Sequence, residues 1–197
     1  MSKTGRYVGL IIFSIALLCV TASVTVAQED AEHHIIRAFA GYLTPTGDDT
    51  LNLSKIELDN TAGFGLGYEY KFTPLIGAAF DYSWYGPDVK VEDIGNESAD
   101  FNPMTLGVMF HFIHGRVIDF YAGPAAAYID YGSGDVNPDN EWTWDARVGL
   151  DFKIFKWFGI GASVEYIDAK GDFDFPGGSA SLNAKPVVTK LGATLRF

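Results

Sequence analysis

The chain has 197 residues, 48% of them hydrophobic and 15% aromatic, and it carries 14 Lys and Arg against 25 Asp and Glu, a formal net charge of −11. That acidity argues against nucleic acid as a partner, and the single cysteine, Cys19, excludes a disulfide framework and a cysteine metal centre. The length suits one domain.

The first segment is a targeting signal. Lys3 and Arg6 precede an apolar run from Tyr7 to Val20, and "TVAQED" supplies small residues before Gln28. The run is shorter than the roughly 18 to 20 residues a spanning helix needs. Residues 1–27 therefore read as a secretory signal peptide cleaved after Ala27, and 28–197 as the mature domain. Cys19 lies in the core of the signal, and Leu18 stands where a lipoprotein signal would place Gly or Ala. Cleavage leaves 12 basic and all 25 acidic residues, a net charge of −13.

Beyond the signal the dominant period is two. Alternation marks eight strands, at 35–43, 63–72, 75–85, 103–112, 119–131, 142–152, 157–168 and 187–197. In the second, Phe64, Leu66, Tyr68, Tyr70 and Phe72 alternate with Gly63, Gly65, Gly67, Glu69 and Lys71. In the sixth, Trp142, Trp144, Ala146, Val148, Leu150 and Phe152 alternate with Thr143, Asp145, Arg147, Gly149 and Asp151. The fifth, "DFYAGPAAAYIDY", is small or apolar on both faces, so its faces stay unassigned. Pro124 lacks a ladder donor, and the middle of that strand is expected to be unpaired or bulged. In the last, Val188, Lys190, Gly192, Thr194 and Arg196 oppose Val187, Thr189, Leu191, Ala193, Leu195 and Phe197.

The connections alternate in length. Thr73-Pro74, Phe155-Lys156 and 113–118 are short, whereas 44–60, 86–100, 132–141 and 169–185 are long and rich in Gly, Asp, Asn and Ser. This is one hairpin repeated four times, with every second turn on the same side. Even strand number, short turns on one side, long loops on the other and aromatic residues near strand ends are the marks of an outer-membrane barrel. A soluble eight-stranded barrel would turn its apolar set inward. Here the polar set is interleaved with glycines, which suits the crowded inside of a narrow barrel, and Phe197 is similar to the terminal aromatic by which outer-membrane barrels are recognised for assembly. The fold class is thus all-β, an eight-stranded antiparallel transmembrane barrel in the outer membrane of a Gram-negative-type bacterium.

"GYLTPTG" after "IIRAFA", then "YAGPAAAYIDY", "WDARVGLDFKIFKWFGIGASVEYIDAKG" and "LNAKPVVTKLGATLRF" resemble, in order and spacing, the OmpW-type outer-membrane proteins. The resemblance covers nearly the whole mature chain. It implies an eight-stranded barrel with a largely apolar lumen that serves small hydrophobic molecules.

With both termini in the periplasm, each inward residue acquires a height. Leu43, Tyr85, Pro103, Ile167 and Val188 collect in the upper half, with Phe39 and Met109 lower down; Arg37, Glu69, Lys71, His111, Asp151, Lys153 and Arg196 collect in the lower half. The expected interior is an apolar vestibule above a charged floor. Acids and bases in a narrow lumen must pair, since an unpartnered buried charge costs about 3 to 5 kcal/mol, so the floor reads as a plug. A molecule in the vestibule would then leave sideways. Pro124 and Pro186 weaken ladder pairing and are candidate openings, with simple strand bending as the preferred alternative.

Catalytic and metal readings fail on geometry. His33, His34 and His114 lie at the periplasmic side, and no serine stands within two residues of His111 to form a nucleophile and base. Asp135, Asn137, Asp139 and Glu141 resemble the start of a calcium loop, but its sixth position is Asn140 and its twelfth Ala146. "DFDFPGG" reads as a loop tip. No cofactor or metal is expected, and the protein is read as non-enzymatic. Its expected partners are outer-membrane lipid and lipopolysaccharide, the barrel assembly machinery and small hydrophobic ligands. The preferred function is a conduit or binding pore for such ligands; the alternative is a structural or adhesive barrel whose acidic loops bind a partner.

Overall fold

The computed structural model describes residues 32–46, 56–91, 95–98, 100–132, 140–175, 178–183 and 185–197. The expected signal peptide and the calcium-loop positions Asp135, Asn137 and Asp139 lie outside them. In chain order the strands are β1 (His34–Thr44), β2 (Ile56–Leu58), β3 (Thr61–Thr73), β4 (Ile76–Tyr85), β5 (Asp88–Val91), β6 (Gly95–Ser98), β7 (Asn102–His114), β8 (Ile118–Asp130), β9 (Glu141–Lys153), β10 (Phe158–Ile167), β11 (Lys170–Phe175), β12 (Gly178–Asn183) and β13 (Val187–Arg196). The eight long ones, β1, β3, β4, β7, β8, β9, β10 and β13, pair antiparallel in a closed ring. Each matches one of the eight expected segments. Closure leaves no strand edge, which is what a sheet needs in a solvent that cannot hydrogen-bond its backbone.

The ring closes where β1 meets β13. Arg37 stands opposite Thr194 on one side and Gly67 on the other. At the lower end, the His34 N–H donates to the Phe197 carbonyl at 2.9 Å and the Phe197 N–H donates to the His34 carbonyl at 3.0 Å. Their rings stack with centroids 5.5 Å apart.

Side chains alternate across the wall as the sequence period demands. In β13, Arg196 is 2% exposed and Leu191 66%. Charge points in and hydrocarbon points out, the reverse of a soluble barrel. Phe64, Trp142 and Trp144 project at the loop side, and Phe72, Phe112, Phe155 and Trp157 at the turn side, giving the two aromatic girdles of a membrane barrel. At the turn between β3 and β4, the Thr73 hydroxyl accepts from the amides of Leu75 and Ile76 at 3.2 and 3.1 Å, a side-chain stand-in for a backbone turn bond.

Two features depart from the sequence reading or complete it. The long connections carry strands of their own: β2, β5 and β6 form a three-stranded sheet, and β11 pairs with β12. Asp172 to Phe175, expected in a loop tip, belong to β11. Their alternation is too short to stand out among glycines and acids, and pairing with β12 within the same connection supplies what length does not. In β8, Asp119, Tyr121, Ala125, Ala127 and Ile129 face inward and Pro124 outward. Pairing with β7 stops after Gly107↔Ala125 and resumes at Phe110↔Ala122 without a change of register, while Pro124↔Ala146 is kept on the β9 side. The strand is therefore unpaired there rather than bulged. The donor that proline lacks is missing on the β7 side.

Candidate lumen site

The lumen is filled in tiers. The upper tier is apolar: Leu43, Tyr85, Phe101, Ile129, Tyr131, Ile167 and Val188 are all buried. Leu43 faces Val188 across the β1/β13 seam, and Pro103 faces Ile129 across β7/β8. The Tyr85 ring lies over Gly41 and Gly63, where a Cβ would collide with it; those two glycines admit the ring into the barrel. The six candidate lumen residues Phe39, Leu43, Tyr85, Met109, Ile167 and Val188 all point inward and are buried.

Below lies a charged layer that the expected picture of a vestibule directly over a floor did not contain. Arg147 forms ion pairs with Asp81 and with Glu165, the latter at 2.6 Å, and donates to the Thr105 hydroxyl at 3.0 Å. Lys190 forms an ion pair with Glu165 and sits 4.5 Å from the centre of the Phe39 ring. Glu165 and Arg147 are direct cross-strand neighbours on β10 and β9. Asp145 completes the layer and is fully buried. The signal was present, since Arg147 and Lys190 belong to the polar sets of their strands. Their common height with Asp81 and Glu165 follows only from the strand register.

Phe39, Met109, Ala79 and Tyr121 separate this layer from the floor, with the last three packed as one cluster. The floor brings the expected charges together around one residue not on the sequence-derived set. Asp119 is 2.8 Å from Lys71 Nζ, 3.1 Å from Arg196 Nη1 and 2.7 Å from His111 Nδ1. The other ring nitrogen of His111 is 2.6 Å from Glu69 Oε1, so the imidazole bridges the two carboxylates. Arg37 reaches Glu69 at 2.8 Å and Asp151 at 3.4 Å, and Arg196 reaches Asp151 at 2.6 Å. Lys153 stands apart at the rim, paired at 2.7 Å with Glu32, a residue the sequence reading also passed over. Arg37, Glu69, Lys71, Asp151 and Arg196 thus form one network, and Lys153 joins it through Glu32, which lies 3.6 Å from Arg196.

Chemically, the two charged layers lie across the lumen, and pairing offsets part of the cost of burying them. Among the described residues no group of three or more His, Cys, Asp or Glu is arranged to hold a metal ion.

The model of the outer membrane protein beta-barrel domain matches residues 13–197. Among the curated proteins there is no match. Among solved structures, OprG from Pseudomonas aeruginosa is similar at 18% identity over 85% of this chain and 96% of that one, with a TM-score of 0.75. Outer membrane protein W of E. coli is similar at 21% identity over 86% of this chain and 100% of that one, TM-score 0.62. AlkL, solved in lipid bilayers, is similar at 17% identity over 87% and 92%, TM-score 0.58. These likenesses establish the barrel fold.

Proposed function

We propose that this chain, which belongs to the outer membrane protein beta-barrel domain family and is an outer-membrane barrel with the OmpW-type fold, admits small hydrophobic molecules into the upper part of its lumen. The observation that carries the reading is the stacking of tiers: an apolar one containing Leu43, Ile167 and Val188 lies above two ion-paired layers. A hydrocarbon guest gains by entering the first and loses by entering the others. Its way out is lateral. The unpaired stretch beside Pro124 lies at the height of Arg147, because Gly123 faces Arg147 on β9; this is the level at which a descending guest meets charge. The role is non-catalytic, since His111 is committed to two carboxylates. Lipopolysaccharide around the loops and the assembly machinery reading Phe197 are the proposed partners.

The test is uptake of an apolar fluorescent probe by bacteria displaying wild type, Leu43→Asp or Pro124→Ala at matched surface levels. The reading expects Leu43→Asp to abolish the barrel-dependent uptake and Pro124→Ala, which restores the ladder donor, to slow transfer. Uptake equal in all three and in cells without the barrel would overturn it and leave the loops as the working surface.

A further inference from the structure

Between the two charged layers the wall made by β10 and β13 lacks side chains. Gly161 and Gly192 face each other directly across the two strands. Beside them lies a cavity of about 20 Å³ whose lining includes Arg37, Phe39, Tyr121, Asp151, Lys190 and Thr194. On the far side of Tyr121 the same level is filled by Ala79 and Met109. The lumen is therefore packed by hydrocarbon on one side, and on the other the Asp151 carboxylate reaches over Gly161 beside the cavity.

Three residues on the lining of this cavity each carry a buried polar atom with no hydrogen bond among the described residues: Arg37 Nε, Asp151 Oδ1 and Thr194 Oγ1. Their side chains are nine-tenths or more buried, Arg37 at 7%, Asp151 at 1% and Thr194 at 2% exposure. One is a donor, one an acceptor and one both. An apolar guest would leave all three unsatisfied, and an anion would face the Asp151 carboxylate. A molecule that both donates and accepts satisfies them. The volume is that of about one or two water molecules, and a site with two to four polar partners is where buried water is held.

We infer that this cavity is a built water site, and that its water joins the Lys190 side of the upper layer to the Arg37 and Asp151 side of the floor. The two charged layers are then one hydrogen-bonded column along β10 and β13, separated only along β4, β7 and β8. Ser163, which lines the cavity from above Gly161, is its entrance from the upper layer. The inference does not rest on passage of a hydrophobic ligand.

The experiment is water-edited solid-state NMR of the full chain in lipid bilayers. Magnetisation from water should reach Gly161 and Gly192 several-fold faster than Ala79 and Met109; equally slow transfer to both sides would overturn the proposal. A second measurement uses Ser163→Leu, which fills the hollow with hydrocarbon. Displacing structural water should lower the melting temperature and abolish the fast transfer at Gly161. A melting temperature that is unchanged or raised would show a dry void and overturn the water site. Should this variant fail to fold, the wild-type transfer decides alone.

Discussion

The two charged layers use the same residue types and are wired differently. In the floor, Asp119 serves Lys71, His111 and Arg196, and Asp151 serves Arg37 and Arg196. In the upper layer the pairs close a ring, from Asp81 through Arg147 and Glu165 to Lys190 and, at 4.0 Å, back to Asp81. A hub with three partners fails all at once when it is removed, whereas a ring can lose one member and keep the other three paired. The lower layer is thus the rigid seal and the upper one the more forgiving.

Substitutions can break that contrast. The largest loss is expected for Asp119→Ala, which leaves Lys71, His111 and Arg196 short of a carboxylate. About 3 to 5 kcal/mol should disappear from unfolding by denaturant in micelles. A loss below about 1 kcal/mol, the range of exposed pairs, would mean that Asp119 is no hub. Lys190→Met removes one member of the upper ring while Arg147 keeps both Glu165 and Asp81, and should cost about 1.5 to 3 kcal/mol, the worth of a charged hydrogen bond. Equal losses for the two variants would erase the distinction between the layers. Smallest is Lys153→Met at the rim, where Glu32 remains partly in water; a change of about 0 to 1 kcal/mol is expected, shrinking further as salt is raised.

The same contrast explains what could be read before any coordinates. Period two was enough to turn Arg37, Glu69, Lys71, His111, Asp151 and Arg196 inward, because each alternates with a large apolar residue on its own strand. Asp119 escaped because its strand is small on both faces, so alternation there carries no sign. Asp81, Arg147, Glu165 and Lys190 escaped for another reason. Each faces inward on its own strand, but that they meet at one height is a property of register between strands, which one strand's pattern does not contain. The hollow beside Gly161 and Gly192 is harder still, since it requires two absent side chains to face each other across a pair.

The small sheet outside the barrel has a consequence for how this protein can vary. β2 lies in the connection between β1 and β3, and β5 and β6 in the connection between β4 and β7, yet β2 pairs with β5 through Ile56↔Val91, Glu57↔Lys90 and Leu58↔Val89. Surface loops ordinarily accept insertions one at a time. Here a residue gained or lost on either side of these three pairs shifts the register of the other loop as well, so the two must change length together or give up their shared sheet. They form one inherited unit, whereas the β11 and β12 hairpin, whose strands pair among the described residues only with each other, can be lengthened, trimmed or exchanged on its own.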